Sequence, residues 1–185
     1  MKKSMKDLND SVKETDNPVI GIIEKWPRKP KEYGQRLIDY YGDPDEYSAS
    51  RLIWHNTGDG WKRTILSTEE IPHNFPAQHH DFLEQVINYK VPVSLFSSLA
   101  RFDGSIIVER TKGEMSARCA GTSMNFAAIN LAHDIISGEK TVEAAREEYT
   151  ELYRTFQKGE KSPYTESFQF DLPEGDTGDT DVTTL

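Results

Sequence analysis

The clearest indication of a fold is a hairpin pattern in residues 105–119, SIIVERTKGEMSARC. Two runs rich in strand-forming residues flank Lys112-Gly113, a two-residue connection that suits a tight turn. We expect Thr111 to pair with Glu114 across this turn. The predicted strands then lie at about 105–111 and 114–119. The residues that this pairing places on one apolar face are Ile106, Val108, Ala117 and Cys119.

A second hairpin is predicted upstream from two runs of the same kind. They are SRLIWHN at 50–56 and WKRTIL at 61–66, and the TGDG segment between them favours a turn. We expect Asn56 to pair with Trp61. The cross-strand pairs that follow are Trp54 with Arg63 and His55 with Lys62. The first of these pairs would form a cation–π contact between the guanidinium and the indole.

Helical spacing of apolar residues accounts for much of the remaining sequence. The predicted helices lie at about 31–41, 77–90, 124–137 and 142–157. A helix precedes each hairpin, which suggests two α-β-β units that contribute to one sheet. The predicted fold is therefore α+β, with an antiparallel sheet of at least four strands from two hairpins packed against about four helices. Residues 18–30 contain three prolines and predict a short strand or packed arm.

Composition predicts a single domain with polar ends. Apolar residues make up 36% of the 185-residue chain, and the ends hold few of them. The predicted regions are a flexible N-terminal arm at 1–17, a single α+β domain at 18–158 and an extended acidic C-terminal tail at 159–185. Because Phe168, Phe170 and Leu172 alternate with polar residues, docking of segment 164–172 as an extended strand remains an alternative.

Charge and hydropathy narrow the classes of function. The net charge is −9, and residues 171–185 contain five acidic residues without any Lys or Arg. Such a chain repels phosphate backbones, so nucleic-acid binding is disfavoured. No apolar run approaches the roughly 20 residues of a membrane span, and none of signal-peptide length follows the basic start. We therefore expect a soluble, cytoplasmic protein that does not contact membranes.

The densest group of potentially reactive side chains lies in residues 73–81, HNFPAQHHD. Three imidazoles and one carboxylate in such a short segment suit Zn, Fe or Mn. The spacing matches no established metal motif, however, and on the predicted helix His79 and His80 would point about 100° apart. The preferred interpretation is that His79 packs against an apolar stripe, and that no metal is bound. A metal-dependent site remains an open alternative.

Three other features of the sequence are candidates for catalysis or ligand binding. Cys119, the only cysteine, would be a nucleophile if a histidine reached it, but the predicted hairpin favours a buried and inert thiol. His133 beside Asp134 is most simply part of a polar helix face. The polar faces of the two hairpins would form a cup for an anionic ligand if they line one concavity. The residues of this cup would be Arg51, His55, Lys62, Glu109, Ser116 and Arg118.

The candidate small-molecule site lies between the first hairpin and residues 73–81. The predicted ligand-binding residues are Trp54, His55, Arg63, His73 and His79. An indole stacks on a ligand, and a guanidinium binds a carboxylate or phosphate through two parallel hydrogen bonds. Because the connection at 67–75 is short, chain continuity keeps these groups near one another.

Two functional hypotheses follow. The leading one is a ligand-binding or protein-interaction module without covalent catalysis, whose partner is a small molecule or another protein. The alternative is a small histidine-based enzyme, with or without a metal, that acts on an anionic small molecule. No Walker pattern, CxxC pair or GxSxG elbow is present in the sequence, and the sequence identifies no cofactor, substrate or oligomeric state.

Overall fold

A computed structural model describes residues 17–185, so nearly all of the predicted N-terminal arm (1–17) lies outside the described residues. These residues form one six-stranded antiparallel sheet in the order β1-β2-β3-β4-β6-β5. The strands are β1 (Glu46–Tyr47), β2 (Arg51–His55), β3 (Arg63–His73), β4 (His79–Asn88), β5 (Ile106–Glu109) and β6 (Glu114–Cys119). The helices are α1 (Pro18–Ile23), α2 (Arg28–Tyr41), α3 (Phe96–Phe102), α4 (Thr122–Ser137), α5 (Val142–Gln157) and α6 (Pro163–Glu166). The predicted α+β fold is confirmed.

The core divides into two adjoining clusters of apolar side chains. Leu52 and Leu66, from β2 and β3, pack with Val19 and Leu37 of α1 and α2. The larger cluster joins β4 and β6 to α3, α4 and α5. Within residues 17–185, no helix is long and apolar enough to cross a membrane.

The register of the first hairpin differs by one residue from the predicted register. His55 pairs with Arg63, and Trp54 pairs with Thr64. The turn is irregular because Asn56, Gly58 and Gly60 all have positive φ, and Trp61 is buried in the core. A shift of one residue puts Arg63 on the face opposite to Trp54. The predicted cation–π contact between these two residues is therefore wrong.

The second hairpin is shifted by two residues, which preserves its faces. Glu109 pairs with Glu114, so the connection comprises residues 110–113 rather than Lys112-Gly113 alone. The C-terminal segment, residues 159–185, contacts this wider turn. Thr177 Oγ1 donates a hydrogen bond to Gly113 O, and Asp179 N donates one to Arg110 O. The predicted apolar face is retained, with Ile106 opposite Ala117.

The predicted helix at 77–90 is wrong, because these residues contain β4. This strand lies between β3 and β6, and its apolar residues Phe82, Leu83, Val86 and Ile87 are all buried. An apolar run of this kind is typical of an interior strand, yet its spacing also fits a helix. The helix that precedes the second hairpin is α3 instead. The predicted strand or packed arm at 18–30 likewise contains α1 and the start of α2.

The C-terminal segment packs on the domain without adding a strand to the sheet. The Phe168 ring lies 4.7 Å from the Trp61 ring and 4.9 Å from the Phe126 ring, measured between centroids. Asn130 of α4 holds the backbone of the segment, since its amide donates to Ser167 O at 2.8 Å and accepts from Gln169 N at 2.8 Å.

Candidate functional site

The turn end of the β3–β4 hairpin brings two histidines and an aspartate together. His73 and His79 are directly opposite each other in the sheet, and their ring centroids are 4.9 Å apart. Asp81 follows His79 by two residues and therefore projects from the same side of β4. Each of the three residues offers a possible metal-binding atom, and these atoms all lie within 4.8 Å of one another.

The carboxylate of Asp81 is almost fully buried, with 2% of its side chain exposed. Its Oδ2 accepts a hydrogen bond from the Ser105 hydroxyl. Its Oδ1 lies 3.0 Å from His79 Nε2, but among residues 17–185 this oxygen has no partner in hydrogen-bonding geometry. Burying a carboxylate oxygen without a hydrogen bond costs free energy, so the position of Asp81 requires an explanation.

His73 lies between two buried carboxylates. Its Nδ1 is 3.3 Å from Asp81 Oδ2, and its Nε2 is 3.5 Å from Asp103 Oδ1. Asp103 follows the last residue of α3, and its side chain accepts a hydrogen bond from Ser105 N at 2.7 Å. Burial raises the pKa of Asp103, because its effect is larger than the opposing effect of the hydrogen bond from Ser105 N.

His79 is oriented by the backbone. Its Nδ1 lies 2.8 Å from Ala77 O, so this nitrogen carries the proton and donates, and Nε2 points towards Asp81 and Cys119. The Cys119 Sγ is 3.6 Å from His79 Nε2. The Asp81 carboxylate, followed by the contact with Cys119, raises the pKa of His79 to about 11 despite the opposing effect of burial. Without another cation at this position, the imidazole is protonated at neutral pH.

A cavity of about 440 Å³ begins at His79 and Cys119. Its walls come from α2, from the loop between β6 and α4, and from α5. The aromatic side chains that line it are Tyr33, Tyr149, Tyr153 and Phe156. Among residues 17–185, Arg36 of α2 is the one arginine or lysine that lines it, beside the imidazole of His79, and no aspartate or glutamate does. Burial raises the pKa of Tyr149, which keeps this phenol protonated.

The five sequence-predicted ligand residues are not all in one place. Only His73 and His79 converge. Trp54 is buried beneath α2, where its indole donates to Gly42 O at 2.9 Å. His55 is near the surface and contacts Glu46 at 2.7 Å, and Arg63 forms a 2.7 Å ion pair with Glu114.

The remaining sequence candidates have separate environments. Arg51 and Arg118 of the proposed cup do line one cavity of about 250 Å³, together with Glu84, but the other four cup residues do not line it. Cys119 is buried as predicted, although it also contacts His79. His133 stacks on the Phe170 ring at 4.0 Å and contacts the Tyr89 hydroxyl, which gives it a packing role.

The sequence indicates Asp81 only as a member of the 73–81 segment, and no pattern in it points to Asp103, Ser105 or Arg36. The alternation of His79 and Asp81 at i and i+2 would have indicated convergence if the segment had been assigned to a strand. Asp103 and Ser105 reach the cluster only through the packing of α3, which no local pattern reveals.

No family model, no curated protein and no solved structure matches this chain.

Proposed function

We propose that this protein binds a small anionic molecule with an aromatic or branched apolar body in the cavity between α2, α4 and α5. The observation that carries the proposal is the composition of the cavity: four aromatic side chains, the guanidinium of Arg36 and the His79–Cys119 contact. Ligand sites commonly combine mostly apolar walls with a few polar groups that fix orientation.

The size of the cavity supports a small ligand. A volume of about 440 Å³ lies within the range of about 300–1,000 Å³ that is typical of small-molecule sites. Tyr33 is held in position because its hydroxyl accepts a hydrogen bond from Thr122 N at 2.8 Å. A wall fixed before binding lowers the entropy that binding costs.

The charge of the cavity supports an anionic ligand. Arg36 lines the cavity and makes no ion pair or side-chain hydrogen bond with any residue from 17 to 185, so its guanidinium is free to bind a carboxylate, sulfonate or phosphate. The N-terminus of the 16-residue helix α4 lies at the same cavity, and its dipole also favours negative charge.

Binding of 8-anilino-1-naphthalenesulfonate, an aromatic anion, tests this proposal. We expect Arg36→Met to weaken its binding by at least about tenfold, since a lost charge-assisted hydrogen bond is worth about 1.5–3 kcal/mol. Arg28→Met is the matched control, because Arg28 belongs to the same helix but pairs with Glu32 away from the cavity. Fluorescence titration measures both affinities, and equal affinities for the two variants would contradict the proposal.

A histidine-based enzyme acting on an anionic small molecule is the second candidate function. The specific observation in its favour is the 3.6 Å distance between His79 Nε2 and Cys119 Sγ at the floor of the cavity. An imidazole this close to a thiol is placed to assist a nucleophile.

Hydrolysis of mono-4-nitrophenyl succinate, an activated ester with a free carboxylate, distinguishes the two candidates. An enzyme of this kind would release nitrophenol in a reaction that His79→Ala and Cys119→Ser abolish. His80→Ala is the matched control, since His80 points away from His79 on the same strand. If the ester is hydrolysed only at the background rate while the aromatic anion still binds tightly, the enzyme function is excluded and the binding function is retained.

A further inference from the structure

We propose that His73, His79 and Asp81 bind a divalent transition-metal ion, such as Zn²⁺, beside the cavity. This inference goes beyond the proposed ligand-binding function and does not depend on it. Two imidazoles and one carboxylate are a common ligand set for Zn²⁺ and for non-haem iron. The proposal rests on the spacing of the ligand atoms, on the groups that orient them and on the buried oxygen of Asp81.

The spacing of the three side chains suits a common metal ion. Two ligand atoms bound at about 2.0–2.1 Å to a tetrahedral Zn²⁺ lie roughly 3.3–3.4 Å apart. His79 Nε2 is 3.0 Å from Asp81 Oδ1, and His73 Nδ1 is 3.3 Å from Asp81 Oδ2. These two distances end on different oxygens of Asp81, and the three candidate ligand atoms lie within 4.8 Å of one another. Side-chain movements of up to roughly an ångström would therefore bring them to the spacing of a tetrahedral ion.

The surrounding groups orient each proposed ligand. His79 donates Nδ1–H to Ala77 O at 2.8 Å, which leaves the Nε2 lone pair for the metal. His73 binds through Nδ1 in our assignment, and its Nε2 then faces Asp103 Oδ1 at 3.5 Å. Metal-binding histidines nearly always donate the N–H of their second nitrogen to a carboxylate, a carbonyl or water, and the contact of His79 with Ala77 O has this geometry.

The Asp81 carboxylate supplies independent support. Its Oδ1 is buried and, apart from the ion pair with His79 Nε2 at 3.0 Å, has no hydrogen-bond partner within the described part of the chain, while Ser105 satisfies Oδ2. A metal ion satisfies such an oxygen and also offsets the negative charge of a buried carboxylate. A second buried carboxylate, Asp103, adds to the negative charge around the same position.

Three protein ligands would leave one position of a tetrahedral ion open. Three protein ligands with one remaining position are characteristic of catalytic rather than structural zinc sites. His79 lines the cavity, so the remaining position lies close to the proposed small-molecule site. Cys119 Sγ borders this region at 3.6 Å from His79 Nε2.

Metal titration of the full chain tests the inference. After removal of bound metal with a chelator, we expect the wild-type protein to bind one equivalent of Zn²⁺ or Co²⁺ in competition with a chromophoric chelator. His79→Ala and Asp81→Asn should each weaken binding by at least about 100-fold, because even the loss of an outer-shell partner costs about 10–100-fold. His80→Ala is the matched control and should bind like the wild type.

A second measurement separates loss of the site from loss of the fold. Circular dichroism of each variant reports folding, and the Co²⁺ absorption spectrum of the wild type reports its coordination. Strong visible bands typical of four-coordinate Co²⁺ with nitrogen and oxygen ligands are expected. The inference is overturned if the wild type binds no stoichiometric metal, or if His80→Ala weakens binding as much as His79→Ala does.

Discussion

Glu114 is a buried acid whose charge depends on two basic neighbours. Burial by itself raises the pKa of this carboxyl, but the hydrogen bonds from Arg63 and Lys62 outweigh it and lower the pKa to about 2. Arg63 is bidentate, with distances of 3.2 and 2.7 Å to the two carboxylate oxygens. Arg63, a predicted ligand residue, therefore already has an anionic partner within the protein.

The pH dependence of stability follows from this shift. Because the folded-state pKa of Glu114 lies below its unfolded value of 4.5, the stabilisation is complete above that value and is lost as the pH falls towards 2. We expect Glu114→Gln to destabilise the protein by about 1–3 kcal/mol at pH 7 and by roughly half as much at pH 3. Urea denaturation at the two pH values measures the difference, and an equal loss at both would contradict the ion-pair explanation.

At the scale of elements, the assignment of β4 decides whether the site is visible in the sequence. On a helix, His79 and Asp81 point in different directions, but on a strand they share a side. The hairpins and α2, α4 and α5 were predictable because turn residues and regular spacing mark them. β4 was not predictable in this way, since the apolar residues of a strand between two others also fit helical spacing.

The turn between β5 and β6 offers a test of how the C-terminal segment is attached. Gly113 has a φ of +62°, and a Cβ at this position would lie 2.0 Å from Thr177 O. Gly138, after α4, has a φ of +81° but open space around it. Both glycines therefore have a positive φ, but only Gly113 lies against the C-terminal segment.

We expect Gly113→Ala to cost at least about 2 kcal/mol more than Gly138→Ala, because only the former displaces a neighbouring backbone in addition to straining φ. Displacement should also increase cleavage of residues 173–185 by a non-specific protease. Thermal unfolding and limited proteolysis measure the two effects. Equal destabilisation by the two substitutions would show that the contact with Thr177 contributes little.

At the scale of the whole molecule, the candidate site combines parts that are distant in sequence. The sequence indicates His73 and His79 because they belong to a short segment, 73–81, that contains three histidines and an aspartate. Ser105 reaches Asp81, 24 positions away, and Tyr33 reaches Thr122, 89 positions away, only after the sheet and helices have packed. Such contacts depend on tertiary structure, and no local pattern predicts them. Trp54 was misplaced for a related reason, because a large indole near a turn serves the core as readily as a ligand.

Anomalous diffraction at the zinc absorption edge, from a crystal of the full chain soaked with Zn²⁺, tests the central claim most directly. The central claim is that His73, His79 and Asp81 form one functional centre next to the cavity. The predicted result is a single strong peak about 2.0–2.2 Å from one side-chain atom of each of these residues. A peak confined to a surface pair such as His55 with Glu46, or no peak within reach of Asp81, would contradict the claim.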